Sequence, residues 1–213
     1  MNRSIALASL IAIFPLPALA DDCHDRIAAM YDGGALDPRI RPAHRNSNRV
    51  TDAEGAHLRT FQTIFQDPLH TVSGVEGGGL FALVIDTRSW TGPTLDGPWT
   101  EAPNQLPGDR MAHVDKLRRE EQANLSATEC PGPTEINGQT FEEIRFHTKT
   151  DPNPDMGGTW FGAHNTVFID PDSQRVMIWQ MTDFENSWSQ GVSKEVHEII
   201  YDYDETISLT VPD

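Results

Sequence analysis

The chain of 213 residues is poor in cysteine, with two, and poor in basic side chains, with 16 Lys and Arg against 32 Asp and Glu. The basic shortfall leaves a formal net charge of −16. Such a chain repels phosphate backbones and anionic lipid surfaces, so neither a nucleic-acid partner nor stable membrane insertion is expected. Its longest apolar run, Ile5 to Phe14, falls short of the roughly 20 residues that span a bilayer. Glycine and proline, at 16 and 15, stay near ordinary usage, which excludes fibrous and low-complexity classes. The mean hydropathy is −0.46, yet five Trp and nine Phe are too many aromatic residues for a disordered acidic chain. Linear catalytic motifs are missing too: there is no G-x-S-x-G elbow, P-loop, G-x-G-x-x-G, H-E-x-x-H or C-x-x-C. No catalytic residue, cofactor or metal is therefore assigned from the sequence.

What is present begins with a leader. Residues 1–20 combine Arg3, the apolar run and Ala18-Leu19-Ala20 ahead of Asp21-Asp22, the three parts of a secretory signal peptide cleaved after Ala20. One domain over residues 21–213 is expected to follow. In an oxidising compartment an even cysteine count favours a bridge, here Cys23 to Cys130, a structural pair because the spacing is not that of a redox motif.

The pattern along residues 21–213 changes period midway. His24 to Tyr31 reads as a short helix ending at Asp32-Gly33-Gly34, and residues 35–50 as an extended segment rich in Arg. Residues 53–66 are ambiguous, since Leu58, Phe61 and Phe65 suit a helical stripe that Gly55, Thr60 and Thr63 weaken. A strand follows Gly77-Gly78-Gly79, then a long loop over 86–110 with a short strand near Trp99. Residues 109–127 form the best helix, with Met111, Val114, Leu117 and Leu125 on one side and Arg118 to Glu121 on the other, stopped by Cys130-Pro131-Gly132-Pro133. Beyond it, Ile136-Asn137-Gly138-Gln139 is a hairpin signal. Four or five strands then run to Ile207, Leu209 and Val211, an antiparallel meander. The fold class is α+β: one curved antiparallel sheet with two or three helices. Strand 175–181 is apolar on both faces, as a strand lining a cavity would be. The eight histidines lack local ligand spacing, with His147 and His164 left as a pair across neighbouring strands, and Asp151 to Asp155 fails as a calcium loop at Met156 and Gly162.

Residues 125–212 carry a resemblance: Cys130 with Pro131-Gly132, the Asn137-Gly138 turn, Asn165 to Asp170, the strand Val176 to Met181, Tyr201-Asp202-Tyr203-Asp204 and Ile207-Ser208-Leu209. They are similar to small periplasmic proteins of proteobacteria that resemble the outer-membrane lipoprotein carrier (LolA-like) group. That resemblance implies a half-barrel lidded by helices, a periplasmic location, and an acyl chain or lipoprotein as partner. No ligand residue of the group matches position by position, so none is carried over, and the 77–79 and 86–110 stretches depart from its pattern. The expected role is a non-catalytic binding or carrier protein for a hydrophobic group. The rival is an interaction or stress-type module with a solid core, and a hydrolase with dispersed Asp and His is a third class. Phe146, Phe168, Trp179 and Trp99 are the expected cavity lining, with Trp90 nearer the mouth.

Overall fold

The computed structural model describes residues 19–103, 108–154 and 157–212. Most of the expected leader lies outside the described residues, as do Asp155 and Met156 of the acidic loop. The elements run α1 (Leu19–Met30), β1 (His44–Thr51), β2 (His57–Asp67), β3 (His70–Val75), β4 (Phe81–Ile85), β5 (Arg88–Gly92) and β6 (Thr100–Ala102). After them come α2 (Arg110–Ala123), β7 (Ser126–Ile136), β8 (Gln139–Lys149), β9 (Phe161–Ile169), β10 (Val176–Asn186) and β11 (Val196–Tyr203). All eleven strands join one antiparallel sheet in the order β6-β5-β4-β3-β2-β1-β11-β10-β9-β8-β7. A twisted sheet this wide curls rather than lying flat, and it is open and curved. Each half is a meander, and the two meet where β1 pairs with β11, His44 opposite Tyr203.

The sheet is larger than its sequence pattern suggested, for identifiable reasons. Residues 53–66 contribute β2 rather than a helix, because Thr60, Thr63 and Ile64 favour extended backbone and neighbours pair on both sides. The segment 35–50 ends in β1, whose only large apolar residue is Val50. The expected loop at 86–110 contains β5 and β6. Cys130-Pro131-Gly132-Pro133 does not stop a helix but lies inside β7, an edge strand where register shifts absorb the prolines. The last stretch, Ile207 to Val211, is not a strand: β11 is already flanked by β1 and β10, leaving it no edge to join. Asn137 and Gly138 both have positive φ, 52° and 81°, as a two-residue hairpin between β7 and β8 requires.

Two helices are described, and they cover one face of the C-terminal half. Ile27 and Tyr31 of α1 pack on Ile144, Phe146, Val167 and Ile169, and the Cys23–Cys130 disulfide ties α1 to β7. Direct cross-strand neighbours Ile144, Val167, Trp179 and Ile199 mark this helix face. A second core of Ile64, Val72, Phe81, Leu83, Ile85 and Trp90 sits on the opposite face of the N-terminal half. The register requires it: Ile64 neighbours Arg45, which neighbours Asp202, whereas Tyr201 points to the helix face. Leu95 and Trp99 of the β5–β6 loop and Ile207 and Leu209 of the C-terminal tail cover that second core.

Helix α2 connects the two edge strands β6 and β7, so it has to cross the sheet. Asp109 caps it by accepting from Ala112 N–H at 2.9 Å. Arg110 anchors its start to the carbonyls of Pro68 and Leu69, at 2.7 and 2.5 Å. Part of the side read as solvated from the sequence is docked, while Arg119 of the same run stays exposed. Arg118 is buried and donates to Tyr31 O at 3.0 Å, while Gln122 donates to Ala28 O at 2.8 Å. These carbonyls lie at the end of α1, where the Tyr31 N–H also reaches Ala28 O at 3.2 Å, so polar side chains of α2 brace the terminus of α1.

Candidate functional site

Beneath α2 a cavity of about 340 Å³ opens on the helix face. Phe161 and Ala163 of β9, Trp179, Met181 and Phe184 of β10, and Ile199 and Tyr201 of β11 form its apolar wall; Glu121 of α2, Thr148 and Lys149 of β8 and Asn165 of β9 supply polar atoms, the Lys149 ammonium lying 5.8 Å from the Trp160 ring centre. Strand alternation is what brings the wall together, since Trp179 and Met181, like Ile199 and Tyr201, are two residues apart and share a face. The Trp179 indole is fixed by donating to Asn165 Oδ1 at 2.8 Å, and Phe146 meets it edge-on with ring centres 6.4 Å apart.

Arg41, on the segment that leads from α1 to β1, packs against two rings of this wall. Its guanidinium lies 5.6 Å from the Trp179 ring centre and 5.7 Å from that of Tyr201. Its Nε is buried without a hydrogen-bond partner among the described residues. On the other side Arg41 lines a second, outer cavity of about 410 Å³, between Met30–Ala35, Ile40–Pro42 and the β9–β10 turn with Ser173, Gln174 and Arg175. The loop behind Arg41 is held by Asp37, which accepts from the Gly33 and Arg39 N–H groups, both at 2.9 Å, and from the Arg39 guanidinium at 2.6 Å. Burial pushes the Asp37 carboxyl up, but those hydrogen bonds outweigh it and hold the group at about 2.

The electrostatics of the site follow from burial around one cation. Burial pushes Glu121 up to about 7, against the opposing pull of Arg41. Burial likewise raises Tyr201, and raises Tyr203 to about 12. His44 is driven down by burial; its Nδ1–H donates to Pro42 O at 2.8 Å and its ring stacks on Phe65 at 4.7 Å. It is a neutral core histidine.

The aromatic residues singled out from the sequence divide between faces. Phe146 and Trp179 stand together on the helix face. Phe168 packs edge-on to Phe141 at 6.5 Å on the opposite face, and Trp90 and Trp99 belong to the core at the far end of that face. Arg41 and Glu121 were missed. A lone arginine in an Arg-rich segment and an acid in a charged helix run give no periodic signal. His147 and His164 are cross-strand partners with rings 4.8 Å apart. His147 also bonds Glu185 at 2.9 Å and Ser126 at 3.3 Å, a chain that ties the bulged start of β7 to β10 and lies outside both cavities. Among the described residues no group of three or more His, Cys, Asp or Glu is placed to hold a metal ion. No described helix is long and apolar enough to cross a membrane.

No family model and no curated protein matches the chain. Among solved structures it is similar to the lipoprotein LppX of Mycobacterium tuberculosis, with 11% identity, a TM-score of 0.48, and coverage of 90% of this chain and 100% of that one. It is similar to LprF of Mycobacterium bovis at 8% identity and a TM-score of 0.48, covering 88% and 97%. A LolA superfamily protein of Nitrosomonas europaea matches at 10% identity and a TM-score of 0.30, covering 79% and 88%. These likenesses are loose.

Proposed function

We propose that this chain is an exported, non-catalytic binding protein that carries a hydrophobic acyl group in the cavity beneath α2. The observation that carries the reading is the cavity itself. About 340 Å³ lies within the size range of small-molecule sites, and its wall of Trp179, Met181, Phe184 and Ile199 offers water few partners. Apolar surface of this kind gains about 25 cal/mol per Å² when an acyl chain displaces water, before association costs. A solid-core module would have filled this space with its own side chains. Export rests on the leader pattern in residues 1–20, and a periplasmic location suits a carrier whose net charge of −16 keeps it off anionic bilayers. Of the aromatic residues named from the sequence, Trp179 lines the site and Phe146 supports it from behind.

The test is delipidated protein with an environment-sensitive fatty-acid probe, compared with Ile199→Trp, which fills the cavity without adding charge. The probe is expected to bind the wild type and to bind the variant at least about tenfold more weakly, while the variant keeps its melting temperature. Equal binding to both proteins, or none to the wild type, overturns the reading.

A further inference from the structure

The carrier reading leaves open which acyl compound fits, and Arg41 bears on that. Arginine buries its charge only at a cost, and the cost falls when a hydrogen-bonding anion meets it. Arg41 has no such partner on Nε. Its positive charge is nonetheless felt across the site, by Tyr31, His44, Glu121, Tyr201 and Tyr203. The residue lines the outer cavity, where Ser173, Gln174 and Arg175 gather, and its guanidinium meets the inner one through the rings of Trp179 and Tyr201. Two arginines at one mouth run against the composition of a chain with twice as many acids as bases. Arg175 is already engaged, donating to Glu205 at 2.7 Å and lying over Tyr203 at 5.1 Å; Lys149, the cation in the inner lining, lies over Trp160 at 5.8 Å, and Arg41 is the one whose N–H is buried without an acceptor among the described residues.

We propose that the occupant is a single-chain anionic amphiphile, its tail in the inner cavity and its carboxylate or phosphate head on Arg41, facing the outer cavity. This rests on the carrier reading above. A single chain is favoured because about 340 Å³ is near the lower end of ligand sites, which span roughly 300–1,000 Å³, and three acyl chains of a lipoprotein need more. An anion is favoured over a neutral head because only an anion supplies the charge-assisted acceptor that the guanidinium lacks. Protonation of Glu121, whose carboxyl burial raises to about 7, keeps the acid lining the cavity from competing for Arg41 in mildly acidic solution.

The experiment displaces the neutral probe phenylnaphthylamine from delipidated wild-type protein and from Arg41→Gln, using dodecanoate, dodecyl phosphate and dodecanol. Without a cation the alcohol binds best, since a charged head prefers water. The proposal expects at least one anion to displace the probe at about tenfold lower concentration than dodecanol, as one charged hydrogen bond provides. It expects Arg41→Gln to abolish that advantage and leave dodecanol unchanged. The better of the two anions identifies the head group. If dodecanol matches or beats both anions on the wild type, or if Arg41→Gln leaves the preference intact, the head assignment fails while the carrier reading stands. If neither probe nor competitor binds the wild type, both fail. Lys149→Gln, the control for the other cation in the lining, is expected to keep the wild-type anion preference; loss of the preference in that variant moves the head to Lys149 and overturns the assignment, also where Arg41→Gln does not fold.

Discussion

The indole N–H of Trp179 donates to Asn165 Oδ1 at 2.8 Å, and Asn165 in turn donates through Nδ2 to Ala163 O at 3.0 Å. A buried side chain on β9 thus sets the ring plane of the largest residue in the cavity wall. Replacing Asn165 with Leu leaves the indole N–H buried and unpaired, at about 1–3 kcal/mol. A melting temperature lower by several degrees is expected. Trp179→Phe in the Asn165→Leu background should recover part of the loss, because it removes the orphaned donor. Additive losses in this double-mutant cycle would show that the bond does not matter.

Glu121 gives the protein a stability that declines toward alkaline pH. Its folded carboxyl sits at about 7 against an ordinary 4.5, raised by burial. A raised acid favours the folded state in full below about pH 4.5, and that contribution is lost as pH rises through 7. Glu121→Gln is therefore expected to stabilise the protein at pH 8 by up to about 3 kcal/mol and to change little at pH 4. Urea unfolding at the two pH values measures the difference.

Asp37 works in the other direction. Its carboxyl lies at about 2 against an ordinary 3.8 because Arg39 and the Gly33 N–H hold the charged form. Its contribution is complete above about pH 4 and disappears as pH falls through 2. Asp37→Asn should cost about 2 kcal/mol at pH 7, and should loosen the segment that carries Arg41. Hydrogen exchange at residues 33–42 reads the second effect.

The Cys23–Cys130 bridge closes a separation of 107 residues. Loops of that size are stabilised by up to about 4–5 kcal/mol when cross-linked, on the chain-entropy account. Cys23→Ser is expected to lower the melting temperature by roughly 10 °C in a chain of this length. Unreduced exported protein should present no thiol to alkylating reagents.

Processing after Ala20 would remove the first two residues of α1 and leave Cys23, Ile27 and Tyr31 in place. Intact mass of exported material should start at Asp21, and a species retaining residues 1–20 would refute cleavage after Ala20.

Particular residues show where the sequence was readable and where it was not. Asn137-Gly138 announced its hairpin because few residue pairs tolerate two positive φ values in a row. Cys23 and Cys130 announced each other because there was no third cysteine. The alternation of Ile178 and Trp179 showed that β10 has two apolar faces, and each lies on the face expected of alternation. β1 was opaque: HRNSNRVT has almost no apolar period, and it is a strand because β2 and β11 flank it. Arg118 and Glu121 were misread as solvent-facing because α2 docks through hydrogen bonds to α1 carbonyls, which leave no apolar stripe. Arg41 was invisible for a related reason: its importance lies in where the chain turns.

The seam between β1 and β11 has a consequence for how the molecule is assembled. Every other strand pair joins neighbours along the chain, whereas this one waits for the last strand to be made, and contacts between distant segments form slowly. A chain threaded N-terminus first through a narrow pore stays free of that seam until its final strand has passed. On the proposed export, the sheet would close on the far side, in the compartment that oxidises Cys23 and Cys130.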